Sequence, residues 1–166
     1  MIILDMTKEL YLLDEDIIIF LHELVMKDAD TKGIRDKANL EYAVHEYKQP
    51  RYKEVLVKAA ALLFNIIRGH CFLDGNKRTA LVSTAAFLLF NGYELEKLPL
   101  VYADYLLNVA KEASNIKDED VLDYIKHIAG ELEKYTKKLS KSEQESMNYL
   151  AESMQDILDS FKDFNK

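Results

Sequence analysis

The chain has no tryptophan, one cysteine, two prolines and five glycines in 166 residues. A single cysteine, Cys71, excludes an intramolecular disulfide, and a lone thiol is the usual product of a reducing compartment, so the expected location is cytoplasmic. No apolar run approaches the ~20 residues that a membrane helix needs. The opening stretch MIILDMTKELYLLDEDIIIF has no basic region ahead of an apolar core and carries acids throughout, unlike a secretory signal. Positive charge is also scarce: 22 Lys and Arg against 29 Asp and Glu give a formal charge of −7. Direct nucleic-acid binding, which rests on cations neutralising phosphates, is therefore not expected, and an anionic ligand would have to be held by a local basic cluster.

With so little Pro and Gly, apolar spacing dominates, and it runs in threes and fours. The expected class is all-α, one domain with a core large enough to need no metal or disulfide staple. Helices are expected from Asp14 to Asp28, with Ile17, Phe20, Leu21, Leu24 and Val25 on one face, and from Lys37 to Tyr47, ahead of Pro50. Two more are expected from Tyr52 to Arg68 and from Asn76 to Asn91. Both are apolar almost all round, which marks a central buried pair, and Gly92 is expected to cap the second. Pro99 opens a fifth helix, to about Glu112. A sixth starts near Asp118 and Asp120 and carries Leu122, Ile125, Ala129, Leu132 and Leu139. A last segment begins at a capping box, Ser142 to Glu145, and repeats Met147, Leu150, Met154, Ile157, Phe161 and Phe164. The end of the chain reads as a helical hairpin packed on the main body.

Between the two buried helices lies HCFLDGNKR, residues 70–78. Gly75 and Asn76 lead into a helix whose first amides lack internal partners, a ready anion site. Lys77 and Arg78 sit at the same end, where the helix dipole disfavours cations by ~0.3–1 kcal/mol each. An anion would repair both violations. Phosphate is the most economical choice, because it accepts backbone amides, a Lys point charge and an Arg fork together. His70 has the pKa range of a general base, Asp74 offers the hard oxygen that Mg²⁺ takes beside a nucleotide, and Phe72 is placed to anchor the loop in the core. His22, His45 and His127 fall on separate helices without metal-ligand spacing, so they are expected to be surface or packing residues. Tyr42, Tyr47 and Tyr52 are expected to cover the core edge. No nucleophilic role is assigned to Cys71.

HCFLDGNKRTAL resembles the signature of the Fic superfamily, and within it the death-on-curing (Doc) toxin branch, to which Lys77 and the following RTAL point. GIRDKANLEYAV, KAAALLFNIIRGH and FLLFNGYEL extend the resemblance over about residues 10–130. It implies a compact helical bundle as a catalytic domain over 1–130, with 131–166 as the helical extension. It implies His70 as the base that deprotonates a target hydroxyl, Asp74 as the Mg²⁺ ligand, and Gly75, Asn76, Lys77 and Arg78 as the nucleotide-phosphate ligands. A short flap near residues 32–36, with Gly33, Ile34 and Arg35, would pin an extended target segment by strand addition.

The resemblance further implies ATP as substrate, a Ser or Thr hydroxyl on a translation factor such as elongation factor Tu as target, and a separate antitoxin as partner. Phosphoryl transfer is favoured by Lys77 and by Leu81, which stands where AMP transferases carry a second Arg. AMP transfer is the alternative, matched by Gly75 where the Doc pattern has Ala. No Ser or Thr in the chain has Glu four residues later, so the family's self-inhibitory Ser/Thr-x-x-x-Glu helix is absent. Two non-catalytic alternatives stay open: a nucleotide-binding interaction module, and a helical adaptor acting through residues 131–166. Oligomeric state is not legible in the sequence.

Overall fold

In a computed structural model, residues 9–96 and 100–164 are described. Their elements are α1 (Glu15–Val25), α2 (Lys37–Tyr47), α3 (Val55–Gly69), α4 (Asn76–Phe90), β1 (Tyr93–Leu95), α5 (Leu100–Ala113), a 3₁₀ turn (Asp118–Asp120), α6 (Val121–Glu133), β2 (Thr136–Lys138) and α7 (Lys141–Phe164). The architecture is an all-α bundle. No helix among the described residues is long and apolar enough to cross a membrane.

α3 is the hub, with α2, α4, α5 and α6 packed around it. Its run Ala59–Phe64, with Ile66 and Ile67, is fully buried, as an all-round apolar helix must be. Lys58 and Glu46 carry charge into this core, and both are matched. Lys58 Nζ donates to the carbonyls of Tyr47, Lys48 and Gln49 at 3.4, 3.3 and 3.1 Å, capping the C-terminus of α2 with a cation. Tyr47 and Tyr52 lie inside, bonded to the Leu13 carbonyl and the Glu46 carboxylate, whereas Tyr42 is exposed.

α1 departs from its expected face. Ile17, Ile18, Leu21 and His22 point inward, while Phe20 and Leu24 are 43% and 64% exposed. The stripe is rotated because a histidine occupies an inward position. α1 also ends at Val25 rather than Asp28, and α3 begins at Val55 rather than Tyr52.

The chain after α4 holds the other corrections. Gly92 turns with φ 90° into β1, and β1 pairs antiparallel with β2, Glu94 opposite Lys137, with those two side chains 3.1 Å apart. The sixth helix therefore stops at Glu133 instead of running through Leu139, which is buried just beyond the strand. Cross-strand pairing, not local propensity, decides residues 136–138. α7 is capped two residues earlier than expected: the Glu143 N–H donates to Ser140 Oγ, and Glu143 Oε2 accepts from the Ser140 N–H at 2.8 Å. α7 packs on α4, with Ala151 buried and Glu152 accepting from the Tyr11 hydroxyl at 3.0 Å. Leu150 and Ile157 of the expected apolar series are exposed, and the side chains of Phe161 and Phe164 lie outside the described residues. Pro99 also falls outside them.

Candidate active site

The turn between α3 and α4 holds the whole 70–78 segment. α3 ends at Gly69, and His70 takes the left-handed conformation, φ 44° and ψ 48°. Among the described residues it is the only non-glycine at positive φ. Glycine is the residue that ordinarily takes such a helix-ending position, and here one stands directly before it. Gly69 is held by another need: a Cβ there would lie 3.0 Å from Cys71 Sγ and 3.4 Å from Asn39 Cβ. A strained, exposed histidine beside an unstrained glycine is the kind of outlier that marks a functional position.

The next residues are tied down from two sides. Cys71 is fully buried, and burial pushes its thiol up to about 11, which removes thiolate chemistry at neutral pH. Phe72 is also fully buried and stacks on the His22 ring, centroids 3.8 Å apart and planes 13° apart. Asn76 clamps the Phe72 backbone, its Oδ1 accepting from the Phe72 N–H and its Nδ2 donating to the Phe72 carbonyl, both at 2.9 Å. The Asn76 side chain thus braces the loop, which leaves its backbone amide, at the first turn of α4, as the group it could offer an anion. Gly75, at φ 73°, caps α4 without a side-chain bond; a Cβ on it would come within 2.8 Å of Met26 Sδ.

The polar groups line one cleft of about 350 Å³, bounded by Ile67, His70, Leu73, Asp74, Arg78 and, from α5, Ala110. Asp74 Oδ1 accepts from the Gly75 N–H at 2.7 Å, and its other oxygen has no partner among the described residues. Lys77 is exposed. Arg78 is not free: its Nη1 donates to the Val25 carbonyl at 3.0 Å and to Asp30 Oδ2 at 2.7 Å, and its Nη2 lies 3.8 Å from Asp74 Oδ1. The Arg78 bond, with a second from the Lys27 N–H, pulls the Asp30 carboxyl down to about 2.

The Gly33–Arg35 segment lies alongside this turn. Ile34 makes an antiparallel bridge with Phe72; the Leu73 N–H donates to the Gly33 carbonyl at 3.0 Å and the Arg35 N–H to the Cys71 carbonyl at 2.8 Å. Strand alternation leaves the N–H and carbonyl of Ile34 on the outer edge. The side chains of Ile34 and Leu73, 40% and 51% exposed, flank that edge.

Sequence reasoning missed three contributors, all from α1 and the loop after it. His22, 1% exposed, supports Phe72, and its Nδ1 is 2.8 Å from Thr79 Oγ1. Asp30 and Met26 hold Arg78 and crowd Gly75. His22 carried one signal, a polar ring within the most apolar stretch of α1. His45 and His127 are exposed. Among the described residues no three His, Cys, Asp or Glu side chains gather as a metal cage. Mg²⁺ carried by a nucleotide does not require one, since one or two carboxylates plus phosphates suffice, and Asp74 fits that donor set.

The chain matches the family model of the Fic/DOC family over residues 12–88, from just before α1 through most of α4, the HCFLDGNKR turn included. More particularly, it is similar to Toxin Doc of Mycolicibacterium smegmatis, 35% identical over 83 residues, which is 50% of this chain and 59% of that protein.

Proposed function

We propose that this chain is the toxin of a toxin–antitoxin pair, an Mg-ATP-dependent enzyme that phosphorylates a Ser or Thr hydroxyl of a translation factor, with elongation factor Tu the first candidate target. The observation that carries the reading is one cleft in which an exposed, backbone-strained His70 faces the unpaired first-turn amides of α4, Asp74 and Arg78.

The α4 amides, Arg78 and Lys77 bind the phosphate tail. Asp74 would hold Mg²⁺, which supplies charge neutralisation on the phosphates. The open edge at Ile34 takes up an extended target segment and lays its hydroxyl against His70. His70 removes the hydroxyl proton as the oxygen attacks the γ-phosphorus; the bond to the β–γ bridging oxygen breaks and ADP leaves. AMP transfer would direct the same oxygen to the α-phosphorus and release pyrophosphate. Gly75, the residue that favours that alternative, has a local reason to be glycine in its left-handed φ and its contact with Met26, so it weighs little on the choice of phosphate. A separate antitoxin and a cytoplasmic setting complete the proposal, in keeping with the similarity to Toxin Doc and the buried lone thiol.

Incubation with elongation factor Tu and ATP labelled at the γ- or the α-phosphate tests it. Label is expected from the γ-position alone. Label only from the α-position would replace phosphorylation by AMP transfer, and none from either, with nucleotide still bound, would leave a binding module.

A further inference from the structure

The α1–α2 loop brings a carboxylate against the phosphate-binding arginine from outside the 70–78 segment. The turn Lys27–Asp30 is closed twice: the Asp30 N–H donates to the Lys27 carbonyl at 3.0 Å, and the Lys27 N–H donates to Asp30 Oδ2 at 2.6 Å. That same oxygen accepts from Arg78 Nη1 at 2.7 Å, and the Val25 carbonyl, left over at the end of α1, accepts from the same nitrogen at 3.0 Å. The other edge of the guanidinium faces the cleft. Its Nη2 lies 3.8 Å from Asp74 Oδ1 and 3.5 Å from where a Cβ on Gly75 would stand.

We propose that Asp30 is a positioning residue, which anchors Arg78 through Nη1 so that its Nη2 edge is presented to the nucleotide phosphates. The inference rests on the reading of Arg78 as a phosphate ligand. A carboxylate competing for the phosphate site would be expected to take both edges of the fork, whereas Asp30 touches one nitrogen and is itself fixed by its own turn. Arginine loses much rotamer freedom when it binds, and a tether that orders it beforehand removes that cost from the binding step. Asp30 also neutralises a cation placed in the first turn of α4, where the helix dipole opposes it, so the arginine can wait in the empty site.

The test is titration calorimetry with Mg²⁺ and the non-hydrolysable ATP analogue AMP-PNP, with cooperative unfolding checked on the same samples. Asp30→Ala is expected to weaken binding about tenfold, the usual scale for removing the partner that orients a ligand group. Asp30→Asn keeps an acceptor for both N–H groups and is expected to stay within about fivefold of the parent. In an Arg78→Ala background, Asp30→Ala should have no further effect, because the two act through one contact. Should Asp30→Ala lose cooperative unfolding, Asp30→Ser, which can still close the turn, replaces it with the same tenfold expectation.

Unchanged or tighter binding in Asp30→Ala, alongside a loss in Arg78→Ala, would overturn the inference and leave the nucleotide reading standing; tighter binding would make Asp30 a competitor. Fully additive losses in the double variant would overturn it too. Arg78→Ala without effect would instead remove the nucleotide reading, and this inference with it.

Discussion

Replacing Gly75 by alanine separates two explanations of that glycine, a backbone requirement and a choice of reaction. At φ 73° an alanine meets left-handed strain of about 1–2 kcal/mol, partly offset by about 0.4–1 kcal/mol because alanine lowers the entropy of the unfolded chain. The new Cβ would also sit 2.8 Å from Met26 Sδ, and turning that half-buried side chain aside costs about 0.5–1.5 kcal/mol. The net expectation is a loss of about 1–2 kcal/mol, read as a melting temperature lower by about 2–8 °C for a chain of this size. Urea denaturation measures it. In a Met26→Ala background the same substitution should cost less, because the sulfur is no longer in the way. Labelled ATP then reports the chemistry, and the transferred phosphate should be the same in parent and variant. A neutral Gly75→Ala would refute the backbone account. A switch in the labelled phosphate would show that this position selects the reaction.

Four further outcomes follow from the same geometry. His70→Ala should lower hydroxyl modification by about 10²–10⁴-fold with nucleotide affinity unchanged, and growth arrest on expression should disappear with it; His70→Gly, which relieves the left-handed strain, should be equally inactive yet more stable by up to about 1 kcal/mol in urea. Ile34→Asp should raise KM for the target protein while leaving that for ATP as it was, since Ile34 flanks the open edge and not the α4 terminus; equal effects on both would place the target elsewhere. Ser140→Ala should cost about 1 kcal/mol through loss of the α7 capping box, measured as a fall of about 2–4 °C in melting temperature. The fourth concerns pH. Burial depresses the His22 pKa below its ordinary 6.5, so the stability it carries is present above pH 6.5 and is lost as pH falls below that value; His22→Phe should show a smaller drop in urea midpoint between pH 7 and pH 5 than the parent.

What the sequence revealed and what it hid divide along one physical line, the distance over which a constraint acts. α3 was legible as the central helix because a helix apolar on every side can only be buried, whereas α4 beside it is buried on one side only, with Leu81, Val82, Ala85, Ala86 and Leu89 half-buried; the turn between them was legible because its base, acid, glycine and cations are contiguous. The two short strands were not: residues 93–95 and 136–138 are strand only because each finds the other, and neither segment carries a period that announces it. The helical spacing from Leu132 to Leu139 was real but crossed a helix end. Ser140 and Ser142 both offer a Ser-x-x-acid pattern, and the chain uses the first.

The site shows the same division more sharply. Every group expected to touch the nucleotide comes from residues 70–78, yet the groups that hold those residues come from α1 and its following turn: His22 beneath Phe72, Met26 against Gly75, Asp30 and the Val25 carbonyl on Arg78. Their spacing of four residues or so suits one helix face, but nothing in the sequence says which loop that face meets. Once the meeting is seen, the odd features of α1 acquire one cause. Its buried stripe is turned to bring His22 inward at the expense of Phe20 and Leu24, and the carbonyl left over where it stops, at Val25, is taken by Arg78. Cations at a helix N-terminus looked like a fault in α4 alone; for Arg78 it is one that α1 and its following turn correct at one edge, which leaves the other edge for the proposed phosphate.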